Sequence, residues 1–266
     1  MTWISAPLSV VRHRHLIWMM VRRDVQGRYR GSALGALWTL ASPLFLIAIY
    51  AIFFGVFLQL RPAGRPGVAD FGLFIMAGVV PWMAFSEGLT RSTSVVLDNR
   101  TLVKKVVFPL EVLPANVVIA ALVGQAIGLV VLSLALLLMR GQSPLGLLLV
   151  PLLLVPQVLF TLGLAWLLAS IGVFLRDLAQ AIGLLMTAWM FLTPIFYSPS
   201  ALPADWRWLL VLNPMAQFVV GYRAALMGEG GLDLLALGAA VVIGLLTFLV
   251  GGAWFMRTKH AFADVV

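Results

Sequence analysis

Long intervals without charge dominate this chain. Residues 31–60, 71–86, 112–139, 141–175, 178–204 and 234–256 contain no Asp, Glu, Lys or Arg. One charge at mid-bilayer costs about 2.5–3.5 kcal/mol on insertion scales, and a helix needs about 20 apolar residues to cross the hydrocarbon. Five of the runs meet that length. The run 71–86 does so only if its helix continues through Glu87 and Arg91, four residues apart with the acid first, where mutual pairing lowers the cost of burial. The spacing therefore predicts an all-α integral membrane protein with six transmembrane helices, over roughly 34–59, 71–96, 113–138, 147–174, 179–198 and 233–255. Barrel strands are excluded, because they would show about ten residues of alternating polarity rather than continuous apolar runs.

Composition agrees with spans and removes other classes. The chain is 62% hydrophobic and 11% charged, with a mean hydropathy of +1.05, and so lacks the polar surface of a soluble domain. Cysteine is absent, which excludes a disulfide scaffold and a thiolate metal site. The net charge of +8 fits a nucleic-acid binder in principle, but basic residues also gather on cytoplasmic membrane flanks. One set of flanks holds Arg12, Arg14, Arg22, Arg23, Arg28, Arg30, Arg91, Arg100, Lys104, Lys105, Arg176, Arg257 and Lys259, and the other holds Arg61, Arg65, Arg140, Arg207 and Arg223. This asymmetry predicts both termini in the cytoplasm, with no secretory signal at the start of the chain.

Three segments outside the spans carry information. Residues 8–30 predict an amphipathic helix in the headgroup plane, with Ile17, Trp18, Val21, Val25 and Tyr29 on one arc and Arg22, Arg23 and Gln26 opposite. A plain topology flank explains the charge but not the two faces. Residues 98–114, with Pro109 and Pro114 interrupting the approach to the third span, form either a docking surface or a solvated loop. In the external stretch 194–231, Asn213-Pro214 reads as a helix cap and Gly228 as a stop. The intervening helix of about 14 residues is too short to cross, so it is interfacial or re-entrant. Aromatic residues there suit substrate contact or an ordinary aromatic belt.

Chemistry of the catalytic kind is poorly provided for. His13, His15 and His260 all lie in the tails, and no two carboxylates share a catalytic spacing. No GxxxxGK[ST] phosphate loop occurs, so any ATPase driving transport is a separate chain reached through cytoplasmic contacts.

Several motifs together resemble one family. RRDVQGRYRGSALGALWTLASPLFLIAIY from Arg22, GVVPWMAFSEGLTRS from Gly78, LVKKVVFPLEVLP from Leu102, VFLRD from Val173, TPIFYSPSALP and LNPMAQFVVGYR are similar to the membrane subunit of ATP-binding-cassette polysaccharide exporters, which comprise O-antigen, teichoic-acid and capsule permeases. The resemblance covers nearly the whole chain. It implies a homodimer working with two separate ATPase subunits, which use ATP and Mg2+ while this chain binds no cofactor. Their cargo would be an undecaprenyl-linked polysaccharide, O-antigen above all, moved outward across the bacterial inner membrane. It divides the chain into an interface helix (1–30), a permease domain (31–256) with a coupling loop near 98–114 and a re-entrant region near 199–230, and a cytoplasmic tail (257–266).

By position, the coupling residues would be Arg100, Lys104, Lys105 and Glu111. Arg22, Arg23 and Arg28 would meet the carrier pyrophosphate or anionic headgroups at the entrance. Trp38, Tyr50, Trp189, Phe191, Phe196 and Tyr197 would line a glycan tunnel, where rings stack weakly on the apolar faces of sugars. Lipid-facing or helix-packing roles compete for each ring. The alternatives are a membrane-embedded transferase or phosphatase acting on a lipid-linked substrate, an exporter of a small drug or lipid, and a non-transporting anchor for an ATPase.

Overall fold

The computed structural model describes residues 5–28, 35–57, 59, 67–105, 108–228, 231 and 233–265. Among these residues every regular element is helical. The chain opens with α1 (Ser5–Arg12) and α2 (Arg14–Arg28), followed by α3 (Trp38–Tyr50), which continues into a π-helical stretch Ala51–Phe57. Then come α4 (Val68–Ser92), the short α5 (Val95–Asp98) and α6 (Arg100–Lys105), and the long α7 (Val112–Arg140). After them lie α8 (Val150–Phe174), α9 (Leu178–Leu192), α10 (Trp208–Leu212), α11 (Pro214–Met227), α12 (Leu234–Thr258) and α13 (Phe262–Val265).

Five of the helical segments are long and apolar enough to span a bilayer: Leu40–Phe57, Ala69–Ser92, Val112–Arg140, Leu145–Phe174 and Leu234–Val265. The fifth expected span, 179–198, is shorter than the sequence suggests. Helix α9 stops at Leu192 and Thr193 turns extended, at φ −94° and ψ 136°. The cause is Pro194, whose ring excludes the α region for the residue before it. At about 1.5 Å per residue, α9 alone falls short of the hydrocarbon thickness. The second span also ends early, at Ser92, where a turn at Thr93 and Ser94 leads into α5. Pro114 lies in the first turn of α7, within the expected span, where its missing N–H costs nothing.

The re-entrant element follows the expectation closely. Helices α10 and α11 meet at 94°, and the Asn213 side chain at the bend accepts from the Met215 and Ala216 amides at 3.1 and 3.4 Å. Pro214 occupies the first helical position and Gly228 closes the helix at φ +69°. Helix α11 then buries most of its surface against α4, α8 and α12.

Helix α4 is the centre of the bundle, with 78% of its apolar window buried, whereas only 11% of the α3 window is covered. Helices α8 and α12 cross most closely. A methyl group on Gly163 would overlap the Thr247 backbone, and one on Gly251 would overlap the Gly163 carbonyl. Where lipid removes the hydrophobic drive, such small-residue crossings let backbones gain the dispersion contact that holds helices together.

The N-terminal segment is two helices broken at His13 rather than one, and Tyr29 and Arg30 lie outside the described residues. Its apolar arc splits. Ile17 and Val21 are buried against α7 together with Met20, while Trp18 stays 63% exposed. The buried half is thus spent on protein contact rather than on the headgroup layer.

At the end where α7 begins, Glu111 is 3% exposed and accepts from Lys259 Nζ at 3.2 Å. The same residue's carbonyl accepts from Trp166 Nε1 at 3.0 Å. Burial raises the Glu111 carboxyl, but hydrogen bonds from Ser9 and Lys259 and the lysine's charge outweigh it and hold the group below its ordinary 4.5. The pair ties the end of α12 to the start of α7.

Two outcomes follow from this packing. Gly163→Ala is expected to destabilise the protein by about 2–4 kcal/mol through backbone overlap, whereas Gly183→Ala, in open space, should be neutral or stabilising by up to about 1 kcal/mol. Equal thermal midpoints of the two variants in detergent would refute the close crossing. For Glu111, a lowered folded value means that its stabilisation is complete above pH 4.5 and is lost as pH falls through that lower value. Glu111→Gln should flatten the acid limb of the unfolding profile below pH 4.5; an unchanged acid limb would refute it.

Candidate functional site

At the end of the bundle richest in basic residues, four side chains from α2 and α4 close a ring. Arg28 Nη2 donates to Glu87 Oε1 at 2.5 Å, with Nη1 reaching Oε2 at 3.2 Å. Arg91 Nη1 donates to the same Glu87 Oε1 at 2.9 Å, and Arg91 Nη2 donates to Asp24 Oδ2 at 2.7 Å. Asp24 in turn lies 4.0 Å from Arg28. The expected Glu87–Arg91 pair is therefore present and is half of a larger network. The four side chains are between 21% and 37% exposed, so each pair is screened and individually worth about 1 kcal/mol or less.

The ring borders a cavity of about 160 Å³ between α3, α4 and α7, which runs from Arg28 and Glu87 past Trp38 and Ser42 to Gln125. Of the three arginines expected at an entrance, only Arg28 reaches this cavity. Arg22 and Arg23 are exposed on the outer face of α2. Arg23 also borders a second, polar hollow of about 270 Å³ that includes Asp24, Arg91, Asp98 and Asn116. Among the described residues, Asn116 Oδ1 is the buried side-chain oxygen without a partner.

The coupling residues are only partly assembled. Arg100 and Lys104 are exposed, with Arg100 Nε donating to the Leu97 carbonyl at 3.1 Å. Leu102 and Val103 on the opposite side of α6 pack on the core. The Lys105 side chain and residues 106–107 lie outside the described residues. Glu111 is turned inward, as above, because the chain bends just before α7 and directs its carboxylate at Lys259. It supplies no surface charge to a docked partner.

The aromatic residues separate into groups. Tyr50, Phe54 and Phe191 gather around Phe196, which lies 6.2 Å from Tyr50, 5.8 Å from Phe191 and 5.6 Å from Phe54 between ring centroids. Phe191 is 62% exposed. Tyr197, half-buried beside them, donates to the Leu192 carbonyl at 3.3 Å. Trp38 lies in the cavity wall near Arg28. Trp189 belongs to an inner group with Trp82, Phe85 and Phe160, and its Nε1 donates to Asn213 Oδ1 at 2.9 Å. That bond helps seat the cap of α11.

Two buried polar features escape a charge-run reading. Arg223, expected on an external flank, is 3% exposed. Its guanidinium donates to the Phe74, Pro194 and Ile195 carbonyls at 3.1, 2.5 and 2.5 Å and stands 3.5 Å over the Phe74 ring. It fixes the backbone immediately before Phe196. The signal available in the sequence is an arginine amid apolar residues on a helix too short to span. The second feature joins α7, α8 and α11. Tyr222 donates to Gln157 Oε1 at 2.7 Å, Gln125 Nε2 donates to that oxygen and to Tyr222 Oη at 2.9 Å each, and Gln157 Nε2 returns to Gln125 Oε1 at 3.0 Å and to the Pro81 carbonyl at 3.1 Å.

Residues 15–227, from α2 through α11, match the model of the ABC-2 type transporter family. The chain is 31% identical to the O-antigen export system permease protein RfbA of Myxococcus xanthus over 97% of its own length and 98% of the relative's. It is 28% identical to a protein of the same name from Klebsiella pneumoniae, over 94% and 95%. It is also 25% identical to the inner membrane transport permease YadH of Escherichia coli K12, over 79% and 84%. With its apolar helices and these relatives, the chain belongs to the ABC-2 type transporter family, as a multi-pass inner membrane permease subunit.

Proposed function

We propose that this permease moves a lipid-linked polysaccharide of the O-antigen class outward across the inner membrane, driven by ATP hydrolysed on a separate subunit. The observation that carries the reading is the near full-length likeness to proteins named for O-antigen export. In this reading two copies of the chain pair with two ATPase subunits, which hold the ATP and Mg2+, and both termini face the cytoplasm. The barely covered α3 and the neighbouring exposed Phe191 supply apolar surface for the second copy and for a shared path. Rings in weak, repeated contact let a sugar chain slide without being held.

Coupling runs through α6 and α2. Lys104 presents its charge outward while Leu102 and Val103 anchor the same helix, so force on α6 is passed to the bundle. The undecaprenyl carrier reaches the cavity at the end of α2, which Arg28 lines and where Arg91 shares its Glu87 partner.

Four outcomes test this. Deleting the chain from its host should abolish surface polysaccharide on immunoblots, with the lipid-linked polymer accumulating inside; unchanged surface polymer would reject the reading. Phe191→Ala should slow export by about two- to tenfold, the worth of one ring contact, at unchanged abundance. Trp189→Ala should instead lower abundance, since emptying a ring-packed site costs about 3–5 kcal/mol. The double reversal Lys104→Glu, Lys105→Glu should abolish co-purification of the ATPase while leaving membrane insertion intact; retained co-purification and export would remove α6 from the docking surface.

A further inference from the structure

Glu87 Oε1 receives hydrogen bonds from two different guanidinium groups, Arg28 on α2 and Arg91 on α4. Two cations converge on one oxygen; Arg28 and Glu87 line a cavity whose inner walls include the apolar Leu46, Met76 and Val80, and Arg91 borders the second, polar hollow. That is the geometry of an oxyanion seat, with planar forks aimed at a shared acceptor. We propose that Arg28 and Arg91 form a diphosphate clamp whose resident occupants are the Glu87 and Asp24 carboxylates, and that a polyprenyl diphosphate binds by exchanging with Glu87. The inference rests on the lipid-linked reading above and identifies the seat of its phosphates.

The exchange is physically accessible. The ring is neutral, two guanidinium groups against two carboxylates, so it waits without uncompensated charge. Glu87 is 32% exposed and regains water when displaced. A diphosphate offers more charge and more acceptor oxygens than one carboxylate, and its tail leaves along the apolar wall. The exchange has a mechanical consequence. The described ion pairs across the two helices run from Arg28 to Glu87 and from Arg91 to Asp24, so substrate in the clamp breaks the first and loosens the N-terminal helix on α4, leaving the second to hold it. Presence of cargo is thereby reported to the element that meets the cytoplasm.

The test uses the full chain in nanodiscs of zwitterionic lipid, titrated with undecaprenyl diphosphate and separately with inorganic pyrophosphate. Removing the competitor should tighten binding: Glu87→Gln and Asp24→Asn are each expected to lower Kd by about tenfold, and Arg91→Gln to raise it by at least as much. A Glu87→Gln protein that stays folded and binds no tighter than wild type overturns the proposal. Wild-type protein gives an independent measurement, since pyrophosphate should protect Arg28 and Arg91 from phenylglyoxal, and equal labelling with and without it also overturns the clamp. If phosphatidylglycerol in the nanodisc competes as well as the diphosphate lipid, the seat serves general headgroups and the proposal fails. If pyrophosphate binds and Glu87→Gln tightens it while undecaprenyl diphosphate binds neither protein, the clamp stands and the lipid-linked reading falls. If polysaccharide export proceeds but no protein form responds to diphosphate, the reading stands and the clamp falls.

Discussion

A backbone that leaves helical geometry inside hydrocarbon exposes carbonyls that no water can satisfy, and one arginine settles that debt here. Helix α9 must stop at Pro194, and the chain then folds back through an irregular stretch before α10. Two of the carbonyls in that stretch, of Pro194 and Ile195, are taken by the Arg223 guanidinium, which also reaches the Phe74 carbonyl of α4. Irregular backbone at membrane depth is tolerated where protein supplies the missing partners. Arg223 is such a partner, and its position on α11 makes the re-entrant helix and the broken span mutually dependent. The rings of Phe196 and Tyr197 take their place from that bond set.

The same logic organises the middle of the bundle. Gln125, Gln157 and Tyr222 would each be costly in lipid if unpaired, yet each donates and accepts within their own triangle. A satisfied triangle of this kind favours one register of α11 between α7 and α8, because a shift by one turn orphans the buried Tyr222 hydroxyl and leaves the two glutamines only each other. Glycine does the complementary work without direction: at Gly163 and Gly251 it lets α8 and α12 approach to backbone contact. Apolar helices alone would slide against one another in lipid. Polar triangles and close crossings fix their depth and rotation.

Much of the layout was legible in the residues. Charge spacing located the long helices, since the penalty for a mid-membrane charge depends only on composition, and Asn213-Pro214 with Gly228 marked α11 because caps are local chemistry. The pre-proline stop at Leu192 was equally local but was outweighed by the length of the apolar run. What could not be read was pairing between distant elements. Nothing around Arg28 indicates Glu87, 59 residues away, and nothing around Glu111 indicates Lys259, 148 residues away. The burial of Arg223 was missed for the same reason: a count of flanking charges assumes that charge lies in water. The aromatic set divided because ring identity does not distinguish a ring that packs, as Trp189 does, from one that remains exposed, as Phe191 does.

Basic residues at the end that carries α2, α6 and the end of α12 consequently perform two kinds of work. Arg28, Arg91 and Lys259 are drawn into pairs that fasten α2 to α4 and α12 to α7. Arg22, Arg23, Arg100 and Lys104 remain exposed. The Lys259–Glu111 pair is buried at its carboxylate, but the end of α2, held by partly exposed ion pairs, is held weakly enough to be moved by a ligand or a partner and strongly enough to have one resting position. The α8–α12 crossing and the Arg223 clamp have no such latitude, because their contacts are buried and cannot trade with water. The division sets what can move in this permease: α2 is fastened to α4 by exchangeable charge, while the bend between α9 and α11 is locked by buried backbone contacts.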